Sequence, residues 1–452
     1  SRALAVDLGL SRNTIEAAFQ QLVDEGFVER RIGSGSTVAK SLADTAPFPL
    51  SRSARQPTPE RSLPPPSAKL PRRGTQLVAL GRAEIDSDRF TGSWATNAEG
   101  FPWQTWNRLV AREARRVGRA LLEPTQLLGV EALRRQIAEH ATLSRGISCD
   151  PRQVVIVNST QQAIDLAARL LLDPGQTALV EEPGYPSARA ALAAAGARVR
   201  PVAVDDKGVV LEALARHRSA RLLYTTPSHQ FPLGVTMSLE RRVGAIHWAK
   251  SQEAWILEDD YDSEFRHDGR PLAAMQALDA ARRVLYLGTF NKVLFPGLRL
   301  AYLIVPDGLA DAFSALRRIT DGPTSPLLQA ALAEFMARGQ FSTYLRQARI
   351  HYAHCRDLLV AAIEGSWPSV TLGPISTGLH LVAHLPKGAD DVTLVARAPR
   401  SEIGLSPLSR YYLGPKKRRG ILLSYGTANP QRIAQIIERM TPLIEAATRA
   451  GS

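Results

Sequence analysis

Residues 285–302 read LYLGTFNKVLFPGLRLAY. An apolar run from Val284 to Leu287 leads through Gly288-Thr289-Phe290-Asn291 to a single lysine, Lys292. A Pro296-Gly297 turn and Arg299 follow, then a second apolar run from Leu300 to Val305. Two such runs predict two buried strands. A lysine held between them is desolvated, which lowers the pKa of its amine. Such an amine can condense with an aldehyde to give a Schiff base. Arg299 could hold a phosphate on the same ligand, because a guanidinium offers paired donors. Taken alone, Lys292 also fits a solvated loop, so the decision rests on its companions.

The first companion is upstream. Trp255-Ile256-Leu257 is strand-like and ends in Glu258-Asp259-Asp260-Tyr261-Asp262. Carboxylates at the end of a buried strand are costly unless they meet a cation, and ligands of α/β sheets sit at that end. A protonated pyridine nitrogen would be such a cation for Asp259 or Asp260, and Tyr261 could donate to a phenolic oxygen on the same ring. Val154–Val157 is a short buried strand feeding Asn158-Ser159-Thr160-Gln161-Gln162, then a helix from Ala163 to Leu172. A strand, a small polar turn and a helix N-terminus form an anion site, so Ser159, Thr160 and Gln161 are candidates to cradle a phosphate. Plain helix capping is the competing role. A further strand, Ala178–Val180, ends in Glu181-Glu182-Pro183-Gly184-Tyr185-Pro186, where an aromatic can stack on a pyridine ring. Leu222–Tyr224 leads to Thr225-Thr226-Pro227-Ser228-His229-Gln230-Phe231-Pro232-Leu233-Gly234, from which His229 or Gln230 could reach the ring.

The N-terminal stretch has a different character. Ala3, Leu4, Ala5 and Leu8 give a short helical face broken by Gly9, and Ser11 is an N-cap for a second helix running to about Asp24. Ile15, Ala18, Phe19 and Leu22 recur at helical spacing. Ser11, Arg12, Asn13 and Thr14 place short hydrogen-bonding groups and an arginine at the helix start, as a recognition helix does in the major groove. Phe27–Arg31 and Thr37–Ala39 read as strands of a hairpin wing around Gly33-Ser34-Gly35, with Arg30 and Arg31 able to approach phosphates.

These motifs together resemble the MocR-type regulators, a branch of the GntR family that joins a winged helix to a fold-type I, class I aminotransferase-like domain dependent on pyridoxal 5'-phosphate (PLP). The resemblance covers nearly the whole chain. It implies an aldimine at Lys292, pairing of Asp259 with the pyridine nitrogen, a Tyr261 contact to the ring oxygen and stacking by Tyr185. Thr289 and Arg299 match the family's phosphate positions, and Asn291 stands where a serine is usual. Arg2, Ser11, Arg12, Asn13, Thr14 and Gly33 match DNA-contacting positions. The expected fold class is α/β: a winged helix-turn-helix truncated at its start, a large α/β domain and a small C-terminal α+β domain.

The boundaries follow from composition. Residues 1–41 form the partial winged helix. Residues 42–75 form a proline-rich basic linker, with eight prolines between Pro47 and Pro71 that build an extended spacer instead of a core. Residues 76–450 form the aminotransferase-like domain, divided near residue 320. Its closing elements are strands at Thr377–Val382 and Gly420–Tyr425 and a helix Pro430–Ala447. On the second strand the family's catalytic members carry an arginine that clamps a substrate carboxylate, and here that position is Leu422. Arg418 and Arg419 lie in a basic loop and are expected to be solvated.

The net charge of +13 favours a polyanionic partner. The two cysteines, Cys149 and Cys355, give neither a disulfide framework nor a metal spacing and suit a reducing cytoplasm. No apolar run is long enough to span a membrane. The first motif opens abruptly without a methionine, which predicts a truncated N-terminus and weakened DNA binding. The expectation is a cytoplasmic homodimer, associated with the nucleoid when bound to operator DNA, whose winged helices lie against the partner's large domain and whose PLP domain senses an amino acid, an amine or PLP itself. A full catalytic cycle is not expected without the arginine. The alternative is a working aminotransferase with an accessory winged helix.

Overall fold

A computed structural model of the chain describes residues 2–31, 35–39, 70–88, 100–117, 127–269, 272–399, 403–415 and 418–449. The chain forms two compact units, Ser1–Lys69 and Leu70–Ser452.

In the first unit, helices Arg2–Leu8 and Arg12–Asp24 precede strands β1 (Val28–Arg31) and β2 (Gly35–Val38), paired antiparallel. Ser11 caps the second helix as expected, its hydroxyl accepting from Thr14 N at 3.1 Å. Ala5, Ile15 and Ala39 are buried. Arg30, read as a phosphate contact, is instead paired with Glu16 at 2.7 Å and bonded to Ser36, so it braces the wing against the helix. Gly33 and residues 42–69 of the expected linker lie outside the described residues, as do the side chains of Arg2 and Arg31. The last four residues of that linker, 72–75, are corrected: they form the first turn of a helix, Arg72–Asp88.

The second unit is built on an eight-stranded sheet in the order β3-β10-β9-β8-β7-β4-β5-β6. Its strands are β3 (Val154–Val157), β4 (Thr177–Glu182), β5 (Arg198–Asp205), β6 (Gly208–Val209), β7 (Ala220–Thr225), β8 (Trp255–Asp260), β9 (Val284–Thr289) and β10 (Ala301–Ile304). β9, β8, β7, β4 and β5 run parallel, and β10 runs antiparallel between β9 and β3. β3, β9 and β10 are buried along their whole length because both faces are covered, whereas β5, which carries Arg198, Arg200 and Asp205, is largely exposed. Val155 and Val157 enter one core cluster with the helix Thr160–Leu171, while Val154 and Ile156 enter the cluster on the other face.

The helix Glu131–Arg145 starts only after Leu128-Gly129-Val130, since Leu128 O accepts from Ile156 N and Gly129 adopts φ +104°, where a Cβ would clash with Ile156 Cγ1. One helix start differs from expectation. The helix expected from Ala163 begins at Thr160 behind a Ser159 cap. The long helical stretch after residue 326 breaks at Gly339 (φ +72°) into Pro326–Ala337 and Gln340–Ser366. A second, antiparallel sheet follows in the order β11-β12-β14-β13, comprising Thr371–Leu372, His380–His384, Gly404–Pro407 (β13) and Gly420–Ser424 (β14). Among the described residues no helix is long and apolar enough to cross a membrane.

Candidate functional site

The loops after β3, β4, β7, β8 and β9 meet the edge of the second sheet around a cavity of about 590 Å3. Ser159, Thr160, Gln161, Tyr185, Asp259, Tyr261, Thr289, Lys292 and Arg299 all line it, although the first and last are 140 positions apart.

At the end of β8 three consecutive carboxylates are buried, and each has its own environment. Glu258 accepts from Met275 N and Gln276 N, both at 2.9 Å. Asp260 faces the same side two residues on, paired with Arg145 at 2.7 Å and accepting from Tyr286 Oη and Ser263 Oγ. Strand alternation turns Asp259 the other way, into the cavity. Its Oδ2 accepts from Tyr224 Oη at 2.6 Å, and its Oδ1 is buried without a hydrogen-bond partner. The charge of Asp260 is thus paired with an arginine away from the cavity, and of the two aspartates Asp259 is the one that faces a ligand. Burial pushes the Asp259 carboxyl up to about 7, with Asp260, Asp262 and Glu181 adding to the rise and the Tyr224 hydrogen bond opposing it. A buried carboxylate oxygen without a hydrogen-bond partner fits a cationic N–H such as a protonated pyridine.

Lys292 is half-buried on the turn after β9. Asn291, in the serine position, spans the turn: its Oδ1 accepts from Leu300 N at 2.9 Å and its Nδ2 reaches Asn158 O at 3.4 Å. The amide therefore joins the lysine turn to the loop after β3 and also lines the cavity. Thr289 Oγ1 accepts from Asn291 N at 3.1 Å. Arg299 holds a left-handed backbone (φ 55°, ψ 46°) after the turn Pro296–Leu298, a conformation that costs a non-glycine residue roughly 1–3 kcal/mol and is concentrated at ligand clamps. Ser159 Oγ accepts from Gln162 N at 3.2 Å, so it caps the helix and lines the cavity at once. Gln161 donates to Ser187 O, and its Oε1 is buried without a hydrogen-bond partner. Helix N-terminus, Thr289 and Arg299 together suit a phosphate, so the residues present fit PLP.

The aromatic wall is Tyr185, Phe231 and Tyr411. Phe231 meets Tyr185 edge-on at 5.6 Å and Tyr411 at 5.1 Å.

His229 and Gln230 do not line the cavity. Gln230 donates to Pro183 O and Phe231 O and accepts from Leu233 N, which fixes its loop. His229 is buried behind Tyr261, its Nδ1 2.9 Å from Asp262 Oδ2. Tyr261 Oη lies 3.0 Å from His229 O and 3.1 Å from His229 Nδ1, so its hydroxyl is already engaged. Gly378 (φ +89°) lies over this pair, and a Cβ there would stand 2.0 Å from His229 Cε1.

Sequence reading missed Tyr224, Asp262, His380, Tyr411 and Ser424. Tyr224 was readable as the residue on β7 next to the acidic strand, whereas the last three come from a sheet more than 80 positions downstream of Lys292. Burial, then His229, then Lys292 hold the His380 imidazole well below its ordinary range, so it is neutral. Leu422 is fully buried with Leu233, Val235, Val382, Leu408 and Tyr411. Arg419, expected to be solvated, is instead paired with the buried Asp391 at 3.0 Å. A clasp joins the two sheets: Glu182 Oε1 accepts from Leu413 N at 2.7 Å and Gly414 N at 2.6 Å, while Tyr411 O accepts from Gly184 N and Arg189 Nη1.

The family model described as aminotransferase class I and II matches residues 94–393. The chain is 38% identical to the probable rhizopine catabolism regulatory protein MocR of Rhizobium meliloti, over 100% of this chain and 90% of that protein. It is 30% identical to the HTH-type pyridoxine biosynthesis transcriptional regulator PdxR of Corynebacterium glutamicum, over 98% and 90%. Among solved structures it is similar to LysN, an α-aminoadipate aminotransferase from Thermus thermophilus complexed with N-(5'-phosphopyridoxyl)-L-leucine. The TM-score is 0.75 at 25% identity, covering 84% of this chain and 97% of that one.

Proposed function

The chain belongs to the MocR-type transcriptional regulators, which join a helix-turn-helix unit to a class I and II aminotransferase domain, and from that premise we propose that its PLP-bearing domain is a sensor controlling operator binding by the N-terminal unit. PLP is its cofactor. Bound PLP supplies an aldehyde, for which an effector's primary amine competes with the amine of Lys292.

The chain's own groups do the rest. Asp259 Oδ1 would take the pyridine N–H, with Tyr224 holding the other oxygen of that carboxylate in place. Tyr261, held by His229, would stand beside the ring oxygen. Arg299, Thr289, Ser159 and Thr160 would hold the phosphate, and Tyr185 would stack on the ring. Ser11, Arg12, Asn13 and Thr14 at the start of the second helix, with Arg2, Arg31 and Gly33, contact DNA. The effector is an amino acid, an amine or PLP itself, and it acts by binding one arrangement of the protein more tightly than another. A homodimer, with each N-terminal unit against the partner's large domain, would present two helices to two half-sites. Such a regulator works in the cytoplasm, on the nucleoid when bound to DNA.

The observation that carries this reading is the orphaned Asp259 oxygen sharing one cavity with Lys292 and Arg299, in a chain aligned end to end with regulators. The test is a visible absorption spectrum of the PLP-loaded chain, titrated with amines and amino acids and then supplied with a keto acid. The expected result is a long-wavelength band that is absent in Lys292→Ala and shifts with effector without sustained turnover. Sustained conversion over many cycles would instead establish a working aminotransferase, and a parent without the band would remove the proposed role of Lys292.

A further inference from the structure

The second sheet gives the cavity a wall of Leu379, His380, Tyr411 and Ser424. Among the described lining residues the positively charged ones are Lys292 and Arg299, and both come from the large sheet's loops. On the sensing reading Arg299 is committed to the phosphate, and Lys292, whether it holds the aldehyde or has yielded it to an effector, stays on the large sheet's side of the cavity. His380 adds no charge, since it is buried and neutral.

Position 422 closes the remaining route for a cation. Side chains two apart on a strand share a face, so Leu422 lies on the side of β14 from which Ser424 reaches the cavity. It is sealed there beneath Tyr411, among Leu233, Val235, Val382 and Leu408. Arg419, just before that strand, is turned to Asp391. A carboxylate directed at the second sheet's wall would therefore leave water for aromatic rings, aliphatic groups and hydroxyls, with no cation on that wall among the described residues to meet it, and burial of an unpaired charge is strongly unfavourable. An uncharged substituent has no such penalty, and the rings of Tyr411 and Phe231 offer it apolar surface.

We infer that the effector is a primary amine that carries no carboxylate, recognised by its amino group and by contact with Tyr185, Phe231, Tyr411 and Ser424. This rests on the reading that the cavity senses an amine through bound PLP, and it narrows the effector from an amino acid, an amine or PLP itself to an amine alone.

The test uses the full PLP-loaded chain and matched pairs in which the amine is the α-amino acid less its carboxylate: ethanolamine against serine, and 2-phenylethylamine against phenylalanine. Affinity is read from the shift of the visible band and independently by calorimetry. The expected result is at least tenfold tighter binding of the amine in one pair or both. An amino acid that binds as tightly as its amine, or more tightly, overturns the inference while leaving the sensing reading intact. A band that forms with Lys292 but responds to neither member of either pair overturns the sensing reading itself, and this inference with it. Leu422→Arg supplies a guanidinium on the cavity face of β14, and a folded variant should gain at least tenfold in affinity for the amino acids. A folded variant without that gain counts against the inference, and if the substitution prevents folding, the comparison on the parent chain still decides.

Discussion

At the scale of single residues, the distinction between Asp259 and Asp260 decides the chemistry. The sequence offers two adjacent aspartates; strand alternation turns them to opposite sides, and their partners show which side is the cavity's: Arg145 comes from a helix 115 positions upstream of Asp260, and Tyr224 from a neighbouring strand. Tyr224→Phe removes the one hydrogen bond on Asp259 and should weaken PLP binding by about 1–2 kcal/mol, measured by absorbance titration. The raised carboxyl also makes a pH prediction. A folded-state value of about 7 lies above the ordinary unfolded value near 4, so the cofactor-free fold binds more protons than the unfolded chain between them. Its stability is then highest below pH 4 as far as this group is concerned, and declines as pH rises through 7. Urea denaturation of cofactor-free parent and Asp259→Asn at pH 5 and pH 8 should show the variant gaining relative to the parent at the higher pH. An unchanged difference would mean that Asp259 is not raised.

At the scale of elements, strands and their polar ends were legible because an apolar run closed by Gly, Pro or an acidic cluster has few other readings. The runs at Val154, Trp255, Val284 and Leu300 became β3, β8, β9 and β10. Legibility failed where long-range contacts set the outcome. Nothing near Leu128 announces that its carbonyl is taken by Ile156, and nothing near His229 announces that Asp262 and Gly378 enclose it. Gly378→Ala forces a Cβ against His229 at a positive φ, with an expected cost of about 1–3 kcal/mol. The same substitution should loosen PLP binding, because Tyr261 rests on His229. A thermal melt and a PLP titration on one sample check both effects, and a destabilised variant with parental PLP affinity would separate Tyr261 from this support.

At the scale of the whole molecule, the net charge of +13 and the N-terminal helix pair make DNA affinity strongly salt-dependent, with log K falling linearly against log salt at a slope of about −0.9 per phosphate contacted. Arg12→Ala should lower DNA affinity and leave the PLP spectrum unchanged, while Lys292→Ala should keep DNA binding and abolish its response to effector. Mobility-shift titrations at two salt concentrations, with and without effector, test both. A loss of DNA binding in both variants would mean that the two functions are not separable. The clasp between Glu182 and the backbone of Leu413 and Gly414 bears on time as much as on affinity. It ties the Tyr411 wall to the loop that carries Tyr185, so loosening the carboxylate's grip lets the two walls part. Glu182→Gln keeps the shape and weakens the charge-assisted bonds. The consequence falls on residence time: PLP should dissociate several-fold faster from the variant, with little change in its association rate. A regulator built this way would keep the memory of a transient signal for as long as one carboxylate keeps its grip on two amides.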